Sequence, residues 1–95
     1  MRVHVRVAGF PDLVRRWGGD RIGVDLEEGR TAADLLAWLD REHARPSGLR
    51  LLDPSGRLVP GLVLLGADGR PLEGGPSHPL RDGDQLTLLV VVAGG

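Results

Sequence analysis

The two strongest β-segments of this chain stand at its opposite ends, and that placement restricts the fold more than any other feature. Residues 2–8 alternate, with Val3, Val5 and Val7 on one face and Arg2, His4 and Arg6 on the other. That is the period of two of a half-buried strand. Residues 85–92 form the run richest in apolar and β-branched side chains. Between the two lies one clear helical signal. Thr31 followed by Asp34 is close to a capping box, with Asp in place of the usual Glu or Gln. Ala32, Leu35, Leu36 and Leu39 then recur at helical spacing, with Asp34, Asp40 and Arg41 off the stripe. The spacing predicts a helix from about Ala32 to His43 that stops before Pro46. Its stripe must cover a sheet.

Weaker signals fill the intervals. A short helix is expected within 11–18, with Pro11 in its first turn and Leu13, Val14 and Trp17 on one face. A second strand is expected over Ile22–Leu26, a third over Leu62–Leu65, and a marginal one over Arg70–Leu72 after an Asp68-Gly69 turn. Residues 45–60 read as irregular, with a turn at Asp53-Pro54-Ser55-Gly56. Asp82-Gly83-Asp84 reads as a solvated turn, and Arg15, Arg16 and Arg21 as a basic cluster on a loop. The order β-β-α-β-(β)-β predicts an α+β domain, a mixed sheet of four to five strands packed on one main helix. If the first and last strands are central neighbours they run parallel, joined through everything between. That is the β-grasp, or ubiquitin-like, arrangement.

Composition narrows the chemistry. Among 95 residues there is no Cys, which removes disulfides, thiolate catalysis and Cys-based metal sites together. A net charge of −1 gives no electrostatic reason to expect nucleic acid or an anionic membrane. No run approaches the roughly 18 apolar residues that a spanning helix needs, and residues 1–5 lack a signal-peptide pattern. A cytoplasmic protein is expected. His4, His43 and His78 are far apart with no metal-ligand spacing, so no metal site is expected. No phosphate-binding glycine loop and no nucleophile with a neighbouring base is present, so the chain is not expected to be an enzyme.

The end of the chain carries the functional signal. A buried strand is expected to run straight into Ala93-Gly94-Gly95. Together with the Gly-Arg-Thr-Ala-Ala-Asp-Leu-Leu helix entry at 29–36 and the Pro-Leu-Arg-Asp-Gly-Asp turn at 79–84, this pattern resembles the MoaD/ThiS family of sulfur carriers, which includes CysO. The resemblance covers most of the chain. Two positions depart from it: Asp68-Gly69 stands where many members have Asn-Gly, and Val90-Val91 where many carry Pro.

The resemblance implies residues 1–92 as a β-grasp domain and residues 93–95 as a flexible tail. It implies that a ubiquitin-activating-type adenylating enzyme, using ATP and a sulfur donor, converts the Gly95 carboxylate to a thiocarboxylate. No cofactor is expected on the chain itself. Gly94 and Ala93 would thread the partner's channel, since three extended residues beyond Val92 reach about 10 Å. The sulfur would pass to a second enzyme, a molybdopterin synthase large subunit or a cysteine synthase type. The leading reading is a MoaD-like small subunit. A CysO-like donor, a ubiquitin-like modifier and a non-covalent β-grasp binding module remain open beside it.

Two further expectations concern the surface. With Leu86, Leu88, Val90 and Val92 facing the helix, Thr87, Leu89 and Val91 lie on the opposite face beside Arg2, His4 and Arg6. An apolar strip with basic flanks there is the expected docking patch. Finally, all 12 basic residues are Arg and none is Lys. A drift toward Gly, Ala, Arg, Pro, Leu and Val accounts for this. A chain with an activated C-terminus and no Lys also cannot form side-chain isopeptides with its own copies.

Overall fold

The computed structural model describes residues 1–9, 15 and 19–90. Apart from Arg15, the residues of the helix expected within 11–18 lie outside them, as do those from Val91 onward. Strands β1 (Arg2–Ala8), β2 (Arg21–Asp25), β3 (Leu62–Leu65) and β4 (Gln85–Val90) form one sheet in the order β2-β1-β4-β3. β1 pairs antiparallel with β2, and β4 antiparallel with β3. The two end strands meet in the centre and run parallel, from His4 opposite Gln85 to Ala8 opposite Leu89. This is the β-grasp topology expected from the sequence.

One face of the sheet is the core. Val3, Val5 and Val7 share it with Leu86 and Leu88. Against them packs helix α1 (Ala32–Leu39), which buries Ala32, Leu35, Leu36 and Leu39. At its start the Asp34 carboxylate accepts the Thr31 backbone N–H at 2.9 Å, completing the capping box. The marginal strand at 70–72 reduces to a single bridge between Leu65 and Pro71. Pro71 has no N–H to extend a ladder. The preceding Asp68-Gly69 turn does form, with Gly69 at φ 77° and the Gly69 N–H donating to the Gly66 carbonyl.

Two turns differ from their sequence reading. The helical path does not stop before Pro46: α1 widens into a π-helical turn over Asp40–Ala44 and then a 3-10 turn over Arg45–Ser47. Pro46 sits in the first turn of that last piece, where a missing N–H is harmless. Gly48, at φ 78°, ends it. Asp40, expected off the buried stripe, is 1% exposed: it keeps α-helical angles and lies four residues after Leu36 and eight after Ala32, on the buried face. Its carboxylate accepts the Leu51 N–H at 2.7 Å and the Arg45 Nε–H at 2.9 Å. One buried acid thereby folds the segment after α1 back so that Leu51 enters the core.

The 81–84 turn is more than a solvated loop. Asp82 accepts the Arg2 N–H at 2.6 Å, and the Gly83 N–H donates to the Arg2 carbonyl at 2.7 Å. The His4 N–H donates to the Asp84 carbonyl at 2.8 Å, while the Asp84 carboxylate accepts the Arg81 N–H. Gly83 holds φ 86°, the left-handed region that favours glycine. The turn clips the start of β1 to the start of β4 and fixes their register.

Two measurements test these polar contacts. Asp40→Ala leaves a buried N–H without its acceptor, and it should lower unfolding free energy in urea by about 2 kcal/mol. Asp34 is held below its ordinary value of 3.8, first by the hydrogen bond from the Thr31 N–H. A depressed carboxylate contributes stability that is complete above its unfolded value and is lost as pH falls through its folded one. The thermal-midpoint advantage of wild type over Asp34→Asn should therefore be largest near neutrality and shrink as pH drops below 3.8.

Candidate functional site

The sheet face turned away from α1 is not covered by a second layer of secondary structure among the described residues. The strand registers decide which side chains share it. Across the sheet Arg21, Arg6, Thr87 and Leu65 form one row, and Ala8, Leu89 and Val63 form the next toward the end of β4. His4 lies in the row before, between Gly23 and Gln85. Leu89, Val63 and Leu65 are half-buried, while Arg6, Arg21 and His4 are exposed.

The four expected docking residues that are described thus occupy one face, with a different arrangement from the one expected. Thr87 does lie beside Arg6. Leu89 lies beside Ala8 and Val63, not beside a basic residue. Arg2 precedes the paired part of β4, faces Asp25 across the sheet and makes an ion pair with it at 3.9 Å. The face is consequently graded along the strands: basic near their β4 start, apolar near its end. The reason is the register, which sets His4 against Gln85 and so pushes the basic half of β1 toward the beginning of β4.

Val63, Leu65 and Arg21 were not read from the sequence as part of this face. Leu62–Leu65 is apolar at every position, so no alternation marks an outward side. Arg21 opens β2 and is not a loop residue. It stands directly opposite Arg6, a like-charge cross-strand pair, and such pairs are unfavourable. Asp20 relieves part of this by approaching Arg6 Nε at 3.4 Å. Arg6, Arg21, His4, Gln85 and Thr87 line a groove of about 450 Å³, walled on one side by the Gly66–Gly69 turn.

The end of β4 is tightly set. Gly9, at φ 87°, follows β1, and a Cβ placed on it would lie 3.0 Å from Val90 Cβ. Glycine is required there by both conformation and space. The last described residue of β4 is therefore wedged between Gly9 and Leu62, its partner on β3. The remaining expected site residues, Val91, Ala93, Gly94 and Gly95, lie outside the described residues.

Other candidate groups stay apart. His78 Nδ1 lies 3.0 Å from the Glu73 carbonyl, and His43 meets Trp38 edge to face at 5.1 Å between ring centres. Among the described residues no three His, Asp or Glu gather as a metal site, and no helix is long and apolar enough to cross a membrane. Asp53 is held below its ordinary value, first by the Ser55 hydroxyl and then by the Arg57 N–H. Both bonds lie within its own turn, whose Gly56 N–H donates to the Asp53 carbonyl.

Comparison with solved structures places this geometry among ubiquitin-like proteins. SAMP1 from Haloferax volcanii superposes with a TM-score of 0.75 over 100% of both chains at 24% identity. A protein from Pyrococcus furiosus described as molybdopterin converting factor subunit 1 gives 0.70 at 18% identity, covering 97% of this chain and 99% of its own. These two show the fold alone. A chain of the BexX/CysO complex from Amycolatopsis orientalis gives 0.63 at 25% identity, covering 98% of this chain and 99% of its own. No curated protein matches the sequence. The ThiS family model matches residues 13–95, and the chain belongs to the ThiS family.

Proposed function

We propose that the chain is a sulfur carrier whose reactive group is the Gly95 carboxyl. The observation that carries this reading is the family match through Gly95, on a chain whose last strand is central in the sheet. A carboxylate is a poor electrophile until one oxygen becomes a leaving group. Adenylation by a partner enzyme supplies that: the Gly95 carboxylate displaces pyrophosphate from ATP and forms an acyl-AMP. Sulfide or a protein persulfide then attacks the carbonyl; the C–S bond forms as the C–O bond to AMP breaks. With a persulfide, a thiol then releases the carrier by reducing the S–S bond.

The division of labour follows from the residues. Five residues follow Val90, and extended they span about 17 Å. That reach brings Gly95 into a partner's active site while the domain stays outside it. Ala93 and Gly94 present almost no side-chain bulk to a narrow channel. The graded face of Leu89, Val63, Thr87, Arg6 and His4 is where the adenylating enzyme docks, its apolar end beside the point where the tail departs. The chain itself supplies no catalytic group and binds no cofactor; ATP and the sulfur donor belong to the partner. The sulfur passes to a molybdopterin synthase-type large subunit, in the cytoplasm. The CysO likeness at 25% identity favours a second reading, donation to a cysteine synthase-type enzyme.

Incubation with ATP, sulfide and an adenylating enzyme should raise the intact mass by the exchange of one oxygen for sulfur, and deletion of Gly95 should abolish it. Leu89→Asp should lower kcat/KM for adenylation by about tenfold or more, as expected when a contact worth about 1.4 kcal/mol is lost. Exchange that persists without Gly95 would contradict the reading.

A further inference from the structure

An activated acyl group reacts with any strong nucleophile in reach, including those on its own carrier. We propose that this chain is a donor and not an amide or thioester acceptor of its own activated C-terminus: its residues hold no Lys and no Cys, and the fold withholds the Met1 amine. The inference rests on the carrier reading above and adds to it a limit on the products. Whatever set the composition, the chemistry follows from it.

Amide formation with the Gly95 adenylate needs a neutral amine. The amine attacks the carbonyl, a C–N bond forms, the C–O bond to AMP breaks, and AMP and one proton leave. All 12 basic side chains are Arg, and a guanidinium stays protonated near neutrality. It keeps the positive charge of Lys at the surface without the nucleophile. Cys is absent too, so the chain offers no thiol for thioester exchange. Its hydroxyls are weak nucleophiles beside an amine, and those of Thr31 and Ser55 are already donated to the carboxylates of Asp34 and Asp53 within their own turns.

That leaves one amine in the 95 residues, the α-amino group of Met1. The fold withholds it. Met1 packs against the core, and its ammonium donates to the Leu26 carbonyl at 2.8 Å while the Leu26 N–H donates back to the Met1 carbonyl at 2.9 Å. These reciprocal bonds extend the β1–β2 ladder by one pair. The Glu28 carboxylate lies 3.6 Å from the same ammonium. To attack, the amine must lose its proton and leave the ladder. These residues therefore favour amide linkage of the carrier to a foreign amine over linkage to another copy of themselves.

The test needs no adenylating enzyme in its first arm. The full chain is treated at neutral pH with the N-hydroxysuccinimide ester of acetic acid and followed by intact mass. Denatured chain should gain a single acetyl group; native chain should do so at least about tenfold more slowly, because reaction waits on local opening. Native Arg50→Lys, a change at an exposed position, should gain an acetyl at the introduced amine at the same rate folded as denatured, because that amine waits on no opening, although its greater basicity slows it relative to a free α-amino group. Equal rates for native and denatured wild type would overturn the proposal. In the second arm, adenylating enzyme and ATP without sulfide should give no amide-linked dimer of wild type, and a dimer linked through Met1 would overturn it. Failure of the carrier reading is separately visible as the absence of sulfur exchange, which leaves the acetylation result intact.

Discussion

Parallel pairing of the first and last strands is the constraint on which the rest of this structure depends. Antiparallel neighbours can be joined by a tight turn, but parallel ones need a long crossover. Here the crossover is nearly the whole protein, so every other element lies between the two strands that pair. The entropy of closing so long a loop grows only slowly with its length, but contacts made after closure must offset it. Two groups of contacts do so. Val5 and Val7 meet Leu86 and Leu88 in the buried face, and the 81–84 turn binds Arg2 and His4 through their backbones. Burial supplies most of the energy, at about 25 cal/mol per Å² of apolar surface. The turn supplies the register. A slip by one residue would send His4 and Arg6 into the core.

The same pairing separates stability from chemistry. Because β4 is central, flanked by β1 and β3, the strand that leads into the tail is held on both edges. Gly9 and Leu62 meet Val90, the last residue of β4. For the proposed carrier, this gives the residues that follow Val90 a fixed starting point. The outer face next to that origin carries Leu89 and Val63, with Arg6 and His4 further back along the strands. In the proposed carrier reading, a partner docked on this face sits beside the end of β4.

Much of this was legible in the sequence because it rests on period and spacing. The alternation of residues 2–8, the stripe on α1 and the Thr31–Asp34 box each report local geometry, and each is found. What was not legible depends on contacts between distant segments. Asp40 falls four residues after Leu36 on the edge of the stripe, but its charge argues for solvent, and nothing local shows that Leu51 and Arg45 return to meet its carboxylate. Asp82 looks like any turn acid until Arg2 is seen against it. Arg70–Leu72 has strand-like residues but Pro71 forbids a ladder. On the outer face, Val63 and Leu65 were hidden by a strand apolar at every position, and the grading of charge followed from a register that no single strand contains.

The most direct test of the central role of this pairing is native-state amide hydrogen exchange, resolved by residue. The amides of β1 and β4 that bond to one another should be among the slowest in the chain, opening only with global unfolding. In Asp82→Ala their protection should fall together on both strands, ahead of that of α1. If β4 amides instead exchange as fast as those of residues 53–57, or if loss of Asp82 leaves both strands as protected as before, the parallel pair and its clip are not what the structure depends on.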